Sequence, residues 1–438
     1  MNRLRFLLAF VLALFLTHAG LAQADVQVDI YGGDGQARSN LAMAAPLTGS
    51  NQQATSNGAK LDTAIRENLA FVPFLSLMDS KSIPGGTVLN GYQMPNLDLN
   101  RFQLAGADML ITAGWPSGDK NGSTVEMRLY GTAAGNFIFG KAYDNVRTSN
   151  IQETADRFCA DLMQALTGQS YFFRGTLAFV KSARSARQRN VWIVKPTGKG
   201  LRQISSIPGI AMSPSWSPDG RYLVFSHIDD STHSLAVWNR ATGQMQRIRF
   251  PGNTVIAPAF LPDNRVAVSL SRAGGYPDIY LLNRSFQKER GLERSPSINV
   301  SPTFDSTGTK MAFCSSRLGG PQIFLKNLST GSVIRVSHGG SYNTEPCISP
   351  DGTLVAYTKH TGSGYRIFVH DLATNSERQV TYGPGNDEHP AFAPDSYFLA
   401  FTSTRSGGRK IYLTSRHGGS AKLVPTGAGD ASFPRWGL

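Results

Sequence analysis

The sequence predicts an α/β N-terminal domain followed by an all-β, six-bladed β-propeller. The main observation is a proline-led motif that repeats along the second half of the chain. Its leading prolines recur at intervals of 44 residues without one insertion. They are Pro214, Pro258, Pro302, Pro346, Pro390 and Pro434. The second observation is that residues 25–168 show no such repeat and mix helical with strand periodicity.

Each repeat has the pattern of one propeller blade. A short strand ends in an aromatic or aliphatic residue, as at Trp216, and a Pro-Asp-Gly turn follows at residues 218–220. These residue types suit tight reversals of the chain. The unit continues with an alternating strand such as 222–226, a Gly-rich turn, a third strand such as 279–282 and a fourth such as 333–336. Four short antiparallel strands in a repeat of this length make a blade.

The two ends of the predicted propeller indicate how its blades are joined. Residues 176–180, 191–194 and 201–205 supply strands two to four of a blade that lacks its first strand. Residues 433–436, Phe-Pro-Arg-Trp, have the first-strand pattern. We therefore expect the last strand to pair with residues 176–180. This pairing gives six blades and removes an exposed sheet edge.

The first 24 residues have the pattern of a secretory signal peptide. Two arginines precede an apolar run at residues 6–16, and the small residues Ala22 and Ala24 suit a cleavage site. The run is shorter than the roughly 20 residues that a membrane-spanning helix needs. We therefore expect a secreted mature chain that begins at Asp25. No cysteine lies near this site to carry a lipid.

Residues 25–168 predict a small α/β domain with a mixed sheet, and residues 169–438 form the predicted propeller. The alternating and helical patterns of the first domain indicate five strands and two main helices. The strands are expected at 26–30, 41–47, 109–113, 124–130 and 137–143, and the helices at 58–71 and 151–166.

The charge differs between the two predicted domains. Residues 25–168 carry 14 acidic and 10 basic residues, whereas residues 169–438 carry 16 acidic and 31 basic residues. A basic surface can bind nucleic acid, but a secreted protein meets little of it. The sequence therefore favours acidic proteins, peptidoglycan or anionic lipid head groups as partners.

The cysteines and histidines predict no cofactor and no metal site. Cys159, Cys314 and Cys347 are an odd number without Cys-x-x-Cys spacing, which is typical of buried apolar residues. No two histidines have the spacing of metal ligands. The sequence leaves open a calcium ion in the central channel of the propeller.

Together these features resemble the TolB family of periplasmic proteins of the Tol-Pal system. The resemblance rests on the signal peptide, the short α/β domain, the Pro-x-Trp-Ser-Pro-Asp-Gly repeats and the Phe-Pro-x-Trp ending. The mature start Asp-Val-Gln-Val-Asp-Ile-Tyr-Gly-Gly at residues 25–33 resembles the family too. One repeat departs from the pattern, with Asp305-Ser-Thr-Gly308 in place of Ser-Pro-Asp-Gly.

The resemblance implies a monomeric, non-enzymatic scaffold in the periplasm. Its propeller would bind the lipoprotein Pal, and its N-terminal segment would bind TolA, which is anchored in the inner membrane. Other envelope proteins are further candidate partners, and membranes would be reached only through partners. These contacts would maintain the outer membrane and help it to constrict at cell division.

The resemblance also implies two sets of binding residues. Pal would dock over the mouth of the channel, on loops that precede the leading prolines. The predicted Pal-binding residues are Val255, Ile256, Asn299, Val300, Ser301, Asn343, Thr344, Glu345, Asp387 and Glu388. The predicted TolA-binding residues are Asp25, Val26, Gln27, Val28, Asp29, Ile30, Tyr31, Gly32, Gly33, Asp34, Gly35 and Gln36. An alternating strand on a glycine hinge suits β-augmentation, and an edge strand of the N-terminal domain is the alternative.

An enzyme is the alternative function, because a propeller fold by itself does not decide what a protein does. A peptidase would need a hydrolase domain with a Gly-x-Ser-x-Gly motif, which this sequence lacks. Glu345, Asp387 and Glu388 could supply the paired carboxyl groups of a glycan-cleaving enzyme. The other explanation of these carboxylates is a solvated rim.

Overall fold

The structure is a computed structural model that describes residues 38–116, 118–119, 121–182, 188–230, 232–250, 253–272 and 275–437. The predicted signal peptide and the predicted TolA-binding residues 25–36 lie outside this part of the chain. Both stay predictions, as do the domain boundaries. Within the described residues, no helix combines the length and the apolar character needed to cross a bilayer.

The N-terminal domain is built on a mixed sheet, as predicted, in which the structure describes five strands. Its strands are β1 (Ser39–Met43), β2 (Leu75–Leu77), β3 (Met109–Gly114), β4 (Val125–Gly131) and β5 (Phe137–Tyr143). Its helices are α1 (Gln52–Leu69), α2 (Asn100–Leu104) and α3 (Ile151–Thr167), with 3-10 turns at Ser80–Ser82 and Thr148–Asn150. The strand order is β2-β1-β3-β4-β5, in which β1 runs parallel to β2 and β3 and the other ladders are antiparallel. The strand at 75–77 was not predicted, and the predicted strand at 26–30 lies outside the described residues.

Local hydrogen bonds determine where several of these elements begin and end. α1 starts before the predicted residue 58, because the Asn51 side chain accepts a hydrogen bond of 3.0 Å from a backbone N–H in its first turn. α3 ends where Gly168 takes a left-handed φ of 72°. β1 stops short of the predicted strand end, since the backbone N–H of Ala45 donates to the carbonyl of Thr87 instead.

The second domain is a propeller of six four-stranded blades, and one parallel bridge between Arg189 and Ile210 links the first two blades into a single sheet. Blade 1 contains β29 (Ala431–Gly437), β6 (Thr176–Ser182), β7 (Arg189–Val194) and β8 (Arg202–Gln203). Blade 2 contains β9 (Ile210–Trp216), β10 (Tyr222–Ile228), β11 (His233–Asn239) and β12 (Met245–Arg249). Blade 3 contains β13 (Asn253–Phe260), β14 (Val266–Arg272), β15 (Asp278–Leu282) and β16 (Lys288–Glu293). Blade 4 contains β17 (Asn299–Phe304), β18 (Lys310–Leu318), β19 (Gly320–Asn327) and β20 (Val333–Arg335). Blade 5 contains β21 (Asn343–Ile348), β22 (Leu354–Thr361), β23 (Gly364–Asp371) and β24 (Ser376–Gln379). Blade 6 contains β25 (Asp387–Phe392), β26 (Phe398–Ser403), β27 (Lys410–Ser415) and β28 (Gly418–Leu423).

The last strand completes the blade that the first propeller strand begins. β29 pairs antiparallel with β6, with Trp436 opposite Leu177 and Ser432 opposite Val180. The Trp436 side chain is buried, and its ring centroid lies 5.9 Å from that of Phe172. The predicted pairing is therefore confirmed, and β6 has no free edge on this side.

The antiparallel strands place the connections of each blade on two opposite faces. First strands begin and second strands end on the channel-mouth face, which includes residues 294–298. The turns between strands one and two and between strands three and four lie on the turn face, which includes residues 217–221. The N-terminal domain contacts the turn face, where the ring of Phe74 lies 6.4 Å from that of Phe398.

Candidate partner-binding face

The predicted Pal-binding residues lie on the innermost strands of blades 3 to 6 rather than in loops, which corrects the sequence-based placement. The inner strand begins before the leading proline, because its ladder to the second strand already forms there. Asn299 pairs with Ser315, and Asp387 pairs with Ser403. Backbone hydrogen bonds therefore fix the position of this set of residues.

Four of these ten residues are buried inside the blades, each three positions before a leading proline. They are Val255, Asn299, Asn343 and Asp387. Their polar members have partners within the protein. Asn343 Nδ2 donates to Gln322 Oε1 at 2.9 Å, and Arg405 Nη2 donates to Asp387 Oδ1 at 2.9 Å. These four side chains hold the inner strands in place and present no surface to a partner in this structure.

The other six predicted residues are half-buried and supply the accessible part of the set. They are Ile256, Val300, Ser301, Thr344, Glu345 and Glu388. They combine aliphatic, hydroxyl and carboxylate groups around the mouth of the channel. Their contact with Pal stays a prediction.

The residue before each leading proline has a left-handed backbone, with φ between 43° and 57°. These six residues are Ser213, Ala257, Ser301, Glu345, His389 and Phe433. In every blade the ladder between the first and second strands shifts register at this point, which makes a β-bulge. All six residues line the central channel, a cavity of about 370 Å³.

Sequence reasoning named only Ser301 and Glu345 among these six residues. Proline biases the preceding residue toward extended backbone, so no single repeat indicates a left-handed conformation. The usable signal was the repeat as a whole. The proline is the same in all six repeats, whereas the type of residue before it varies, for example between Ser213 and Phe433. This pattern indicates a position where the backbone conformation is constrained and the identity of the side chain is not.

Glu345 and His389 form a polar pair across the seam between blades 5 and 6. Nε2 of His389 lies 2.8 Å from Oε1 of Glu345, and Oε2 of Glu345 accepts hydrogen bonds from Thr358 Oγ1 at 2.8 Å and from the backbone N–H of His389 at 2.9 Å. Burial disfavours the carboxylate, but the imidazole and these donors together lower the pKa of Glu345 to about 2. The channel therefore contains a fixed negative charge. The His389 ring centroid lies 3.8 Å from that of Phe433.

The same geometry argues against a glycan-cleaving site at these carboxylates. Such a site needs one carboxyl group that stays protonated to act as an acid. Glu345 has a pKa that is lowered rather than raised, and Asp387 is buried against Arg405. Two of the three predicted carboxylates, Glu345 and Asp387, are therefore engaged in structural contacts.

Exposed apolar side chains lie on the channel-mouth face of blades 3 to 6, and the sequence analysis did not single them out. They lie in connections that enter first strands or leave second strands. They are Tyr276, Ile298, Leu318, Tyr342 and Tyr382. Several large apolar side chains around one cavity are typical of a protein-binding surface, where aromatic residues are enriched.

The described residues contain no group of three or more His, Cys, Asp or Glu side chains that could hold a metal ion. Glu345 is the one carboxylate among the described residues that line the central channel. The three cysteines Cys159, Cys314 and Cys347 are buried, as predicted, and each has a free thiol in this structure.

Comparison with models of protein families assigns the propeller to a known family. The family model for the TolB β-propeller domain matches residues 163–438, which is more than half of the chain. This chain belongs to the TolB family. The resemblance noted in the sequence is thereby confirmed, and TolB membership makes the chain a non-enzymatic protein.

Relatives in other bacteria agree with the TolB assignment. The Tol-Pal system protein TolB of Nitratidesulfovibrio vulgaris (strain Hildenborough) is 61% identical over 305 residues, which cover 69% of this chain and 67% of that protein. The protein TolB homolog of Chlorobium luteolum is 29% identical over 278 residues, which cover 64% of this chain and 62% of that one. A crystal structure of TolB from Acinetobacter baumannii has a TM-score of 0.77 at 20% identity and covers 91% of this chain and 96% of its own. That likeness supports the fold, and the sequence relatives support a TolB role in a Tol-Pal system.

Proposed function

We propose that this chain is the periplasmic scaffold of its Tol-Pal system. It binds the lipoprotein Pal through the channel-mouth face and TolA through residues 25–36, and so maintains the outer membrane and supports its constriction at cell division. The observation that carries the Pal proposal is the ring of six left-handed residues around the channel, together with exposed apolar side chains on the same face of blades 3 to 6.

The channel-mouth face has the composition expected of a protein partner's docking site. Tyr342 and Tyr382 are exposed beside the inner strands of blades 5 and 6, where Glu345 supplies a fixed negative charge inside the channel. An apolar rim around a polar centre provides both buried area and specific hydrogen bonds. The N-terminal domain contacts the opposite face, so part of that face is not available to a partner.

The TolA proposal rests on the sequence of residues 25–36 and on the TolB family. This segment joins the described part of the chain beside Arg38, whose guanidinium contacts the Ser420 hydroxyl on β28. Apolar residues alternate at Val26, Val28 and Ile30, and glycines follow. Such a segment can add a strand to the sheet edge of a partner, where backbone hydrogen bonds supply the affinity.

Calorimetry with the purified soluble domain of Pal tests the first contact. A Tyr342→Arg/Tyr382→Arg double variant should bind Pal at least tenfold more weakly than the original protein, because two charges replace apolar area at the rim. Tyr222→Arg is the matched control, since Tyr222 is an exposed tyrosine on the turn face, and it should bind Pal normally. Equal loss in the control, or undiminished binding by the double variant, would place the Pal site elsewhere.

A truncated chain that starts at Ala37 tests the second contact. It should keep Pal binding and lose binding to the purified C-terminal domain of TolA. Retained TolA binding would end the proposal for residues 25–36. In cells that lack the native gene, the same truncation should fail to restore outer-membrane integrity and normal constriction, whereas the full chain should restore both.

A further inference from the structure

Blade 3 differs from the blades on either side of it at the left-handed residue of two turns on the turn face. Between strands one and two, both neighbouring blades have glycine, as at Gly220, whereas blade 3 has Asn264 with a φ of 65°. Between strands three and four, both neighbours again have glycine, as at Gly243, whereas blade 3 has Phe286 with a φ of 60°. A side chain thus replaces glycine at two positions of one blade where the backbone favours glycine.

Phe286 is the more unusual of these two residues. Asparagine adopts a left-handed backbone fairly often, as Asn375 does in the corresponding turn of blade 5, but a large aromatic residue seldom does. The side chain of Phe286 is half-buried and packs against the apolar residues between blades 2 and 3. Strained residues of this kind persist where the surrounding structure holds them, and they are common at binding sites.

Asn264 and Phe286 line the same cavity, which has a volume of about 670 Å³ and lies on the turn face at the seam of blades 2 and 3. The cavity is larger than the central channel, at about 370 Å³, and falls within the roughly 300–1,000 Å³ that is usual for small-molecule sites. Every residue that lines it belongs to blade 2 or blade 3. The cavity is therefore separate from the channel-mouth face and from the N-terminal domain.

The lining of this cavity combines aromatic rings with side-chain amides. The rings are those of Tyr222, which is 39% exposed, and of the half-buried Phe260 and Phe286. The amides are those of Asn239, Gln244, Gln246 and Asn264. No described residue hydrogen-bonds to the side-chain amides of Gln244 and Asn264, which are both exposed. These amides can therefore donate to a ligand and accept from it.

The charges of the cavity favour an uncharged ligand. Its charged side chains are Asp219 and Arg284, which have opposite signs and are both exposed. Oδ1 of Asp219 accepts hydrogen bonds from the Ser217 hydroxyl at 2.6 Å and from the backbone N–H of Arg221 at 3.0 Å, so this carboxylate already supports its own turn. Because the formal charges cancel, neither an anion nor a cation gains a net attraction from the lining.

We propose that this cavity binds a short, uncharged oligosaccharide. A sugar ring presents a face of C–H bonds, which carry partial positive charge and suit the electron-rich face of an aromatic ring such as that of Tyr222. Its hydroxyl groups each donate and accept hydrogen bonds, and so match the exposed amides of Gln244 and Asn264. The lining thus offers a partner to both kinds of surface that a sugar presents. This site is independent of Pal binding.

Titration calorimetry of the mature chain with N,N′-diacetylchitobiose and with cellobiose tests the proposal. Both are uncharged β-linked disaccharides, and only the first carries acetamide groups. Binding of either one, with little change between roughly 50 and 500 mM salt, would support the site. Tyr222→Ala should weaken this binding by about fivefold or more. Tyr276→Ala is the matched control, since Tyr276 is an exposed tyrosine of blade 3 on the channel-mouth face, and it should bind normally.

Asn264→Gly separates a binding role from a structural one, because it restores the glycine of the neighbouring blades. This variant should bind the disaccharide about threefold more weakly and keep its melting temperature. Ser396→Gly, at the same turn position of blade 6, is its control and should bind like the original protein. Three outcomes would overturn the proposal: no binding of either disaccharide up to roughly 10 mM, undiminished binding by Tyr222→Ala, or an equal loss in the two controls.

Discussion

Nε2 of His389 lies 2.8 Å from Oε1 of Glu345, and this contact joins the inner strands of blades 5 and 6. Both residues are left-handed and both precede a leading proline. A repeat that fixes the backbone has thus placed two complementary side chains on adjacent blades. The seam between these blades is therefore held at the channel by side chains as well as by packing.

Glu345→Gln should lower the free energy of unfolding by about 2 kcal/mol at neutral pH, because it removes a carboxylate that three groups stabilise. The pKa of Glu345 is lowered to about 2 from an ordinary value of 4.5, so its contribution is complete above pH 4.5 and is lost as the pH falls toward 2. Urea unfolding at several pH values measures this. Glu388→Gln is the control, and a difference that persists near pH 2 would contradict the assignment.

Asp395→Asn should raise the free energy of unfolding at pH 7.5 by about 1–3 kcal/mol and change it little at pH 4. The pKa of Asp395 is raised to about 6 from 3.8, so the folded state holds its proton more tightly than the unfolded state does. Stability from this group is present in acid and declines as the pH rises through 6. Urea unfolding of the variant and of Asp263→Asn measures the effect. A gain in stability that does not depend on pH would contradict it.

Ala257→Gly should raise the free energy of unfolding by about 0.5 kcal/mol, because the left-handed backbone costs alanine more than glycine loses in chain entropy. Ala257 has a φ of 43°. Ala259→Gly on the same strand is the control and should lower the free energy by about 1 kcal/mol, since that residue is buried in an ordinary ladder. Chemical denaturation checks both, and equal destabilisation by the two variants would show that the bulge carries no strain.

A chain that ends at Gly429 should lose more than about 3 kcal/mol of stability, because it lacks β29 and with it the buried Trp436. The exposed edge of β6 should also promote aggregation. A chain that ends at Gly437 is the control and should behave like the full protein. Thermal melting together with light scattering measures both effects, and an unchanged melting temperature would contradict the role of this strand.

The repeat made the blades predictable because one pattern had to satisfy six equivalent environments. It also gave the pairing of β29 with β6, since each blade needs four strands. The repeat did not predict the burial of Asp395, which lines a cavity that is also lined by Thr167 and Gln169 from outside the repeated units. The sequence analysis placed Asn299 and Val300 together in a loop, whereas they alternate on a regular ladder, with Asn299 buried and Val300 half-buried.

The pairing of β29 with β6 sets an order of events during biosynthesis. β6 is made first among the propeller strands and its partner is made last. One edge of β6 in blade 1 therefore stays unpaired while the ribosome synthesises the other five blades. A chain exported in an extended form would complete its ring only after its final residues had crossed the inner membrane. For a chain exported as the sequence predicts, export and ring closure would be successive steps, and a binding protein that shields the edge of β6 would act in the interval between them.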